Sequence, residues 1–314
     1  MTRRGWALFA AMAVIWGIPY LLIKIAVGQL TPASLVFLRT AIGAALLLPV
    51  AAARGWLTPL LSYWRWVLVY TIVEVSLPWF LLADGERRLS SSLTGLMIAA
   101  VPLLAVVLQL LTRADERTDR RRVAGLLVGF VGVALLVGLN VSFEDLRSVG
   151  EVGLVALGYA AGPIIIARRL PSLPAVGVVA ASLVLTALFY SPVAIPQLPA
   201  AMPSSQVLLA VLTLAVVCTA LGFLLFFALI SEVGPVRATV ITYFNPAVAL
   251  LLGVVLLREP FTVGAVAGFS LILVGSVLAT RRTSALAGSA PVPSSTAWGA
   301  VARYRRARQR RSQG

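Results

Sequence analysis

Histidine is absent from the 314 residues, and cysteine occurs once, at position 218. The first absence excludes proton relays, activated nucleophiles and metal sites built on imidazole. The second excludes an internal disulfide. Charge is scarce as well: 12% of residues are charged, against roughly a quarter in a soluble domain. The sole lysine, Lys24, lies outside any GxxxxGK[ST] phosphate-binding loop, so ATP hydrolysis by this chain is excluded. The carboxylates stand scattered singly, which leaves no nucleophile with its base and no metal cluster. No cofactor, no metal and no enzymatic activity are expected.

Apolar residues make up 60% of the chain and come in blocks. Ten runs, at 5–27, 31–53, 65–83, 90–112, 123–141, 150–168, 174–196, 206–230, 235–257 and 262–280, are each long enough to cross a ~30 Å hydrocarbon core as a helix. Strands of a membrane barrel would alternate apolar with polar residues, and none do. The expected fold class is an all-α membrane protein with ten transmembrane helices. The first run is not read as a cleavable signal, because it continues to Val27 with Gly17 and Pro19 inside it.

The net charge of +15 does not point to nucleic acid, because the basic residues are sorted by side. Arg3, Arg4, Arg54, Arg65, the arginines at 113, 117 and 120–122, Arg168, Arg169, Arg237 and the tail fall on one face. Only Arg87, Arg88, Arg147 and Arg258 fall on the other. The positive-inside rule then puts both termini in the cytoplasm of a multi-pass protein of the inner cell membrane. Trp6, Trp64 and Trp66, at span edges, read as interfacial anchors in the bilayer.

The halves of the chain overlay. A shift of 144 puts Pro19 on Pro163, Lys24 on Arg168 and Pro102 on Pro246; a shift of 143 puts VAG at 123–125 on VAG at 266–268, and Glu116 on Glu259. Five helices per half is odd, so the second half must enter the membrane from the opposite side, an inverted repeat typical of alternating-access transporters. The expected domains are 1–141, 150–282 and a flexible basic tail, 283–314. Gly17 with Pro19, Pro102, Gly162 with Pro163, and Pro246 are expected to interrupt helices around a cavity.

With these features in place, WGIPYLLIKIAVGQLTPASLVFLRTAIGAALLLP (16–49) resembles the opening of the EamA domain of the drug/metabolite transporter superfamily. Residues 234–278, with Pro246, Glu259, Gly268 and Gly275, are similar to its closing section. The resemblance implies ten helices in two inverted repeats and export or exchange of small metabolites. The second repeat departs from it at GYAAGP, which lacks the tryptophan, and at Leu183, where Arg39 would recur.

Lys24, Arg39 and Glu74 lie within spans, where charge is costly and marks functional sites. Lys24 is near enough to its helix end to snorkel. Arg39 and Glu74 reach similar depth, roughly 12 and 13 Å at 1.5 Å per residue. They are expected to form a buried pair, either structural or open to competition by substrate or proton. Trp16, Tyr20, Tyr70, Trp79, Tyr159, Tyr243 and Phe244, with Asn245, supply rings and polar tips for a cavity accepting organic cations or aromatic metabolites. GLLVGFVGV (125–133) and GAVAG (264–268) are small-residue faces for packing the fifth helix on the tenth, or a second copy of the chain in a homodimer. The expected function is a secondary transporter exporting small metabolites such as amino acids, nucleobases or drug-like compounds. The alternative is a gradient-independent exchanger or channel-like facilitator.

Overall fold

A computed structural model describes residues 1–112, 120–138 and 142–280. Glu116, Arg113, Arg117 and the tail 283–314 lie outside them. Among the described residues there is no strand, and nine helices are long and apolar enough to cross a membrane. They are α1 (Arg3–Ala26), α2 (Pro32–Ala53), α3 (Thr58–Gly85), α4 (Ser91–Thr112), α5 (Arg120–Gly138), α6 (Leu146–Arg169), α7 (Ala175–Gln197) and α8 (Ser205–Val233), followed by the shorter α9 (Val240–Leu256) and then α10 (Val263–Thr280). The chain is an all-α, multi-pass membrane protein of about ten helices. Ring-bearing Trp6 and Trp64 lie exposed near helix ends.

Hydroxyl caps start several spans. Thr31, Ser90 and Ser204 each accept from the backbone N–H three residues on, which satisfies a donor that a helix start leaves open. Gly234, at φ +83°, stops α8.

The spans pack as α1 with α8, α3 with α6, α2 with α7, α4 with α9 and α5 with α10. Adding five to each number, counted around ten, returns the same set of pairs: α1–α8 becomes α6–α3, and the other three pairs exchange their members. The closest of these pairings uses the small-residue faces. A Cβ on Gly132 of α5 would stand 2.8 Å from the Gly268 carbonyl of α10, so only glycine lets these backbones meet. Both faces are therefore used within one chain.

Three of the four proline positions fall at helix interruptions. α1 stops at Ile15 and resumes at Pro19; α4 stops at Ile98 and resumes at Val101, ahead of Pro102; α9 passes from a 3₁₀ segment, Thr239–Tyr243, into a helix beginning Asn245–Pro246. Proline fits the first turn of a helix because its missing N–H would have had no partner there. Gly17 serves the first interruption differently. A Cβ there would lie 2.5 Å from Cβ of Val248, so the gap in α1 admits α9.

Pro163 corrects the symmetric reading. α6 runs unbroken from Leu146 to Arg169 with Pro163 inside it. One lost N–H and a ring on the exposed side of the helix are tolerated where the turns on either side keep their bonds. Gly162 thus does not loosen a break; its bare Cα faces α3.

Candidate functional site

Two spans widen at matching places. α3 is π-helical over Thr71–Ser76 and α8 over Leu214–Leu221, segments that start 143 positions apart. A π turn displaces carbonyls from the regular ladder and recurs at functional sites. Here side chains meet the carbonyls: Tyr190 Oη donates to Ser76 O at 3.0 Å, Trp16 Nε1 to Cys218 O at 3.2 Å, and Thr219 Oγ1 to Leu214 O at 2.8 Å. The α3 segment is fastened to α7 by Thr71 Oγ1 donating to Ser182 Oγ at 2.9 Å and by the Ser76–Thr186 hydroxyl pair at 2.7 Å.

Arg39 lies against the α8 segment and the stretch of α3 that follows the π turn there. Only 7% exposed, it donates from Nε to Thr219 Oγ1 of α8 at 2.9 Å, and its Cζ stands 3.6 Å over the Trp79 ring of α3. Among the described residues no acceptor meets Nη1 or Nη2. The guanidinium is therefore held flat by a ring and one hydroxyl, with its outer donors free. Tyr20 of α1 and Tyr159 of α6 lie within electrostatic reach. Tyr20 is buried, and Tyr159 packs against two core clusters.

The expected Arg39–Glu74 pair does not form. Thr71 and Ser76 face α7, which turns Glu74, between them, toward α6. Its carboxyl fills the space beside Gly162, where any Cβ would collide with it, and Oε2 has no hydrogen-bond partner. Tyr70 is buried on the same span within electrostatic reach of Glu74.

The remaining sequence candidates have other positions. Trp16 packs against Phe226 and Phe223 at ring separations of 4.6 and 5.7 Å, so it clamps α1 to α8. Asn245, buried, turns its amide to two acceptors; with the nitrogen assigned to that side it donates to Ile241 O at 3.0 Å and Ala13 O at 3.2 Å, which ties the α9 interruption to α1. Phe244 is exposed and meets Phe9 edge-on. Among the described residues no hydrogen bond or ring contact joins Tyr243 to Arg39. Lys24 Nζ reaches beyond the end of α3, where it donates to the backbone carbonyls of Glu86 at 2.7 Å and Leu89 at 2.8 Å.

That end holds a second polar cluster. Glu259, before α10, accepts from Ser91 N and Ser92 N at 2.8 Å each and so caps α4. Glu86 is fully buried, with neither carboxyl oxygen hydrogen-bonded. Burial pushes its carboxyl well above the usual carboxylate range, against the opposing pull of Lys24, with Glu259 adding to the rise. Sequence reasoning missed Thr219 and Glu86. Thr219 is one hydroxyl in an apolar run. Glu86 sits in DGERR, where a charge reads as solvated. The one available signal was that its neighbours, Leu89 and SSS, return immediately to an apolar helix.

A family model described as EamA-like transporter matches residues 3–138 and again residues 152–281. The uncharacterized transporter YvbV of Bacillus subtilis is 27% identical over 284 residues, 88% of this chain and 92% of that protein. The uncharacterized inner membrane transporter YedA of Escherichia coli K12 is 28% identical over 253 residues, 79% of this chain and 80% of that protein. A solved crystal structure superposes with a TM-score of 0.62 at 23% identity, over 89% of this chain and 99% of that one. That last likeness is one of fold.

Proposed function

The chain belongs to the EamA-like transporter family, and on that premise we propose that it is a secondary transporter of the inner membrane. It exports a small organic metabolite by alternating access between two inverted halves, 1–141 and 150–282, with both termini in the cytoplasm. The self-consistent pairing of spans and the matched π segments support two halves that exchange roles. The observation that carries the reading is the Arg39 guanidinium, buried, stacked and with two outer nitrogens free. A planar fork held this way suits a carboxylate or similar anionic group, taken by two parallel N–H···O bonds. Tyr20, Trp79 and Tyr159 supply apolar surface and hydroxyls for the rest of the molecule. An uncompensated buried cation at this point argues against the organic cations that the rings alone would suit.

The test is uptake into inverted vesicles with an imposed pH gradient, using pooled labelled carboxylic and amino acids, nucleosides and organic cations. Accumulation of an anionic solute, collapsing with the gradient and lost in Arg39→Leu, is the expected result. Rapid counterflow that ignores the gradient would indicate the exchanger instead. Accumulation of a cation unaffected by Arg39→Leu would overturn the assignment of the site.

A further inference from the structure

The mouth beyond α3 contains an arrangement that transport of an organic solute does not account for. Glu86 has no exposed surface, and both of its carboxyl oxygens lack a hydrogen bond. A cation is close by, yet the Lys24 ammonium is turned to the Glu86 and Leu89 carbonyls and leaves the carboxyl unbonded. A buried carboxylate without donors is strongly disfavoured, whereas a neutral carboxylic acid is tolerated. A polar contact lies within electrostatic reach of this site: Glu259 holds the first turn of α4 through Ser91 N and Ser92 N, and Ser91 Oγ is buried without a partner. These bonds can be replaced by water if the α4 start and the turn before α10 separate.

We propose that Glu86 is a proton-binding site, protonated while this end of the molecule is closed and ionised when it opens. Opening releases Glu259 from the α4 amides and admits water. The Glu86 O–H then gives its proton to that water, and Lys24 leaves the two carbonyls to meet the new carboxylate. Closing reverses each step, with the proton taken from the solvent at this end. The raised proton affinity that burial gives Glu86 agrees with the closed half of this cycle. The charged groups facing Glu86 are Lys24 from α1, Arg39 from α2 and Glu259 from the turn before α10. Tyr20 and Tyr159 lie within its reach, and Glu151 of α6 faces the adjoining Gly85. On its own segment, Asp84 is occupied by Arg87 and Arg147 at 3.4 Å each, and Arg88 follows. The coupling of this proton to opening rests on the transport reading above; the existence of the site does not.

The experiment is infrared difference spectroscopy of the purified full chain in a lipid film, titrated in pH while the carbonyl stretch of protonated carboxylic acid is followed. Because Glu74 is also a buried carboxyl with an unpartnered oxygen, the titration is made in a Glu74→Gln background, where the expected result is a band that persists above the ordinary carboxylate range and is lost when Glu86→Gln is added. Its midpoint moves up in Lys24→Gln, which removes the stabilising ammonium, and down in Glu259→Gln, which removes a like charge. A band that survives Glu86→Gln in that background, or midpoints that ignore Lys24 and Glu259, would overturn the proposal. If Glu86→Gln fails to fold, the opposite shifts of the other two variants still decide it. Failure to find transport, with the band behaving as stated, would sink the transport reading and leave the proton site standing.

Discussion

Replacing Arg39 with leucine separates a residue that holds the protein together from one that holds its cargo. A buried ion costs several kcal/mol in desolvation even after relaxation. Here the return comes from a ring stack of roughly 2 kcal/mol for a desolvated cation–π contact. One hydrogen bond to a charged donor adds roughly 1.5–3 kcal/mol. With no carboxylate partner, the two sides nearly cancel. Arg39→Leu is therefore expected to change unfolding free energy by less than about 2 kcal/mol in either direction, as replacement of buried ions by apolar groups commonly does. Transport of an anionic solute should nevertheless be lost. Thr219→Val and Trp79→Leu keep the cation but remove its support, so each should destabilise, by about 1–3 kcal/mol for the unpaired donor. In an Arg39→Leu background both penalties should shrink, because no charge remains to support. Thermal unfolding in detergent of the single and double variants, with vesicle uptake alongside, supplies both readouts. Collapse of Arg39→Leu, with a loss above about 3 kcal/mol of the kind seen when a buried pair is broken, would refute the reasoning. So would wild-type uptake in that variant.

Three further outcomes follow from the same geometry. Gly162→Ala should destabilise by about 1–3 kcal/mol through overpacking against Glu74, and adding Glu74→Ala should restore part of the loss in the same melt. Gly17→Ala should cost a similar amount, about 1–3 kcal/mol, because its methyl meets Val248, and Val248→Ala should relieve it. The pH dependence of stability has a defined sign at Glu86. Its proton is bound more tightly in the folded chain, so its contribution is complete below the ordinary carboxylate value of 4.5 and is lost as pH rises through the folded value. Melting temperature across that range should fall less steeply in Glu86→Gln than in the wild type, and an equal slope would contradict the burial of a protonated acid.

Much of the architecture was legible along the chain because the bilayer imposes a length on every helix. The run lengths located the nine long apolar helices among the described residues and the shorter Val240–Leu256, and helix restarts lie at or next to Pro19, Pro102 and Pro246. Pro163 shows the limit of that signal: a single missing bond bends or breaks a helix only if the neighbouring turns give way, and in α6 they do not. The charges inside the membrane were also legible as a set, since each is costly enough to need a purpose.

Which groups those charges meet was decided only in three dimensions. Depth placed Arg39 and Glu74 at one level. Side-chain direction set them apart, because the π turn over Thr71–Ser76 holds its hydroxyls on α7 and sends Glu74 to Gly162. Arg39 found a ring and a hydroxyl 40 and 180 positions away instead. Glu86 illustrates the same division. Sequence fixes its charge and its place just beyond a span, but its burial and the charges it meets, Lys24 and Glu259, come from stretches of chain that only the fold brings to one end. Hydropathy is a local property and can be summed along the chain; the company of a buried polar atom is set by contacts across it, and only the folded arrangement determines them.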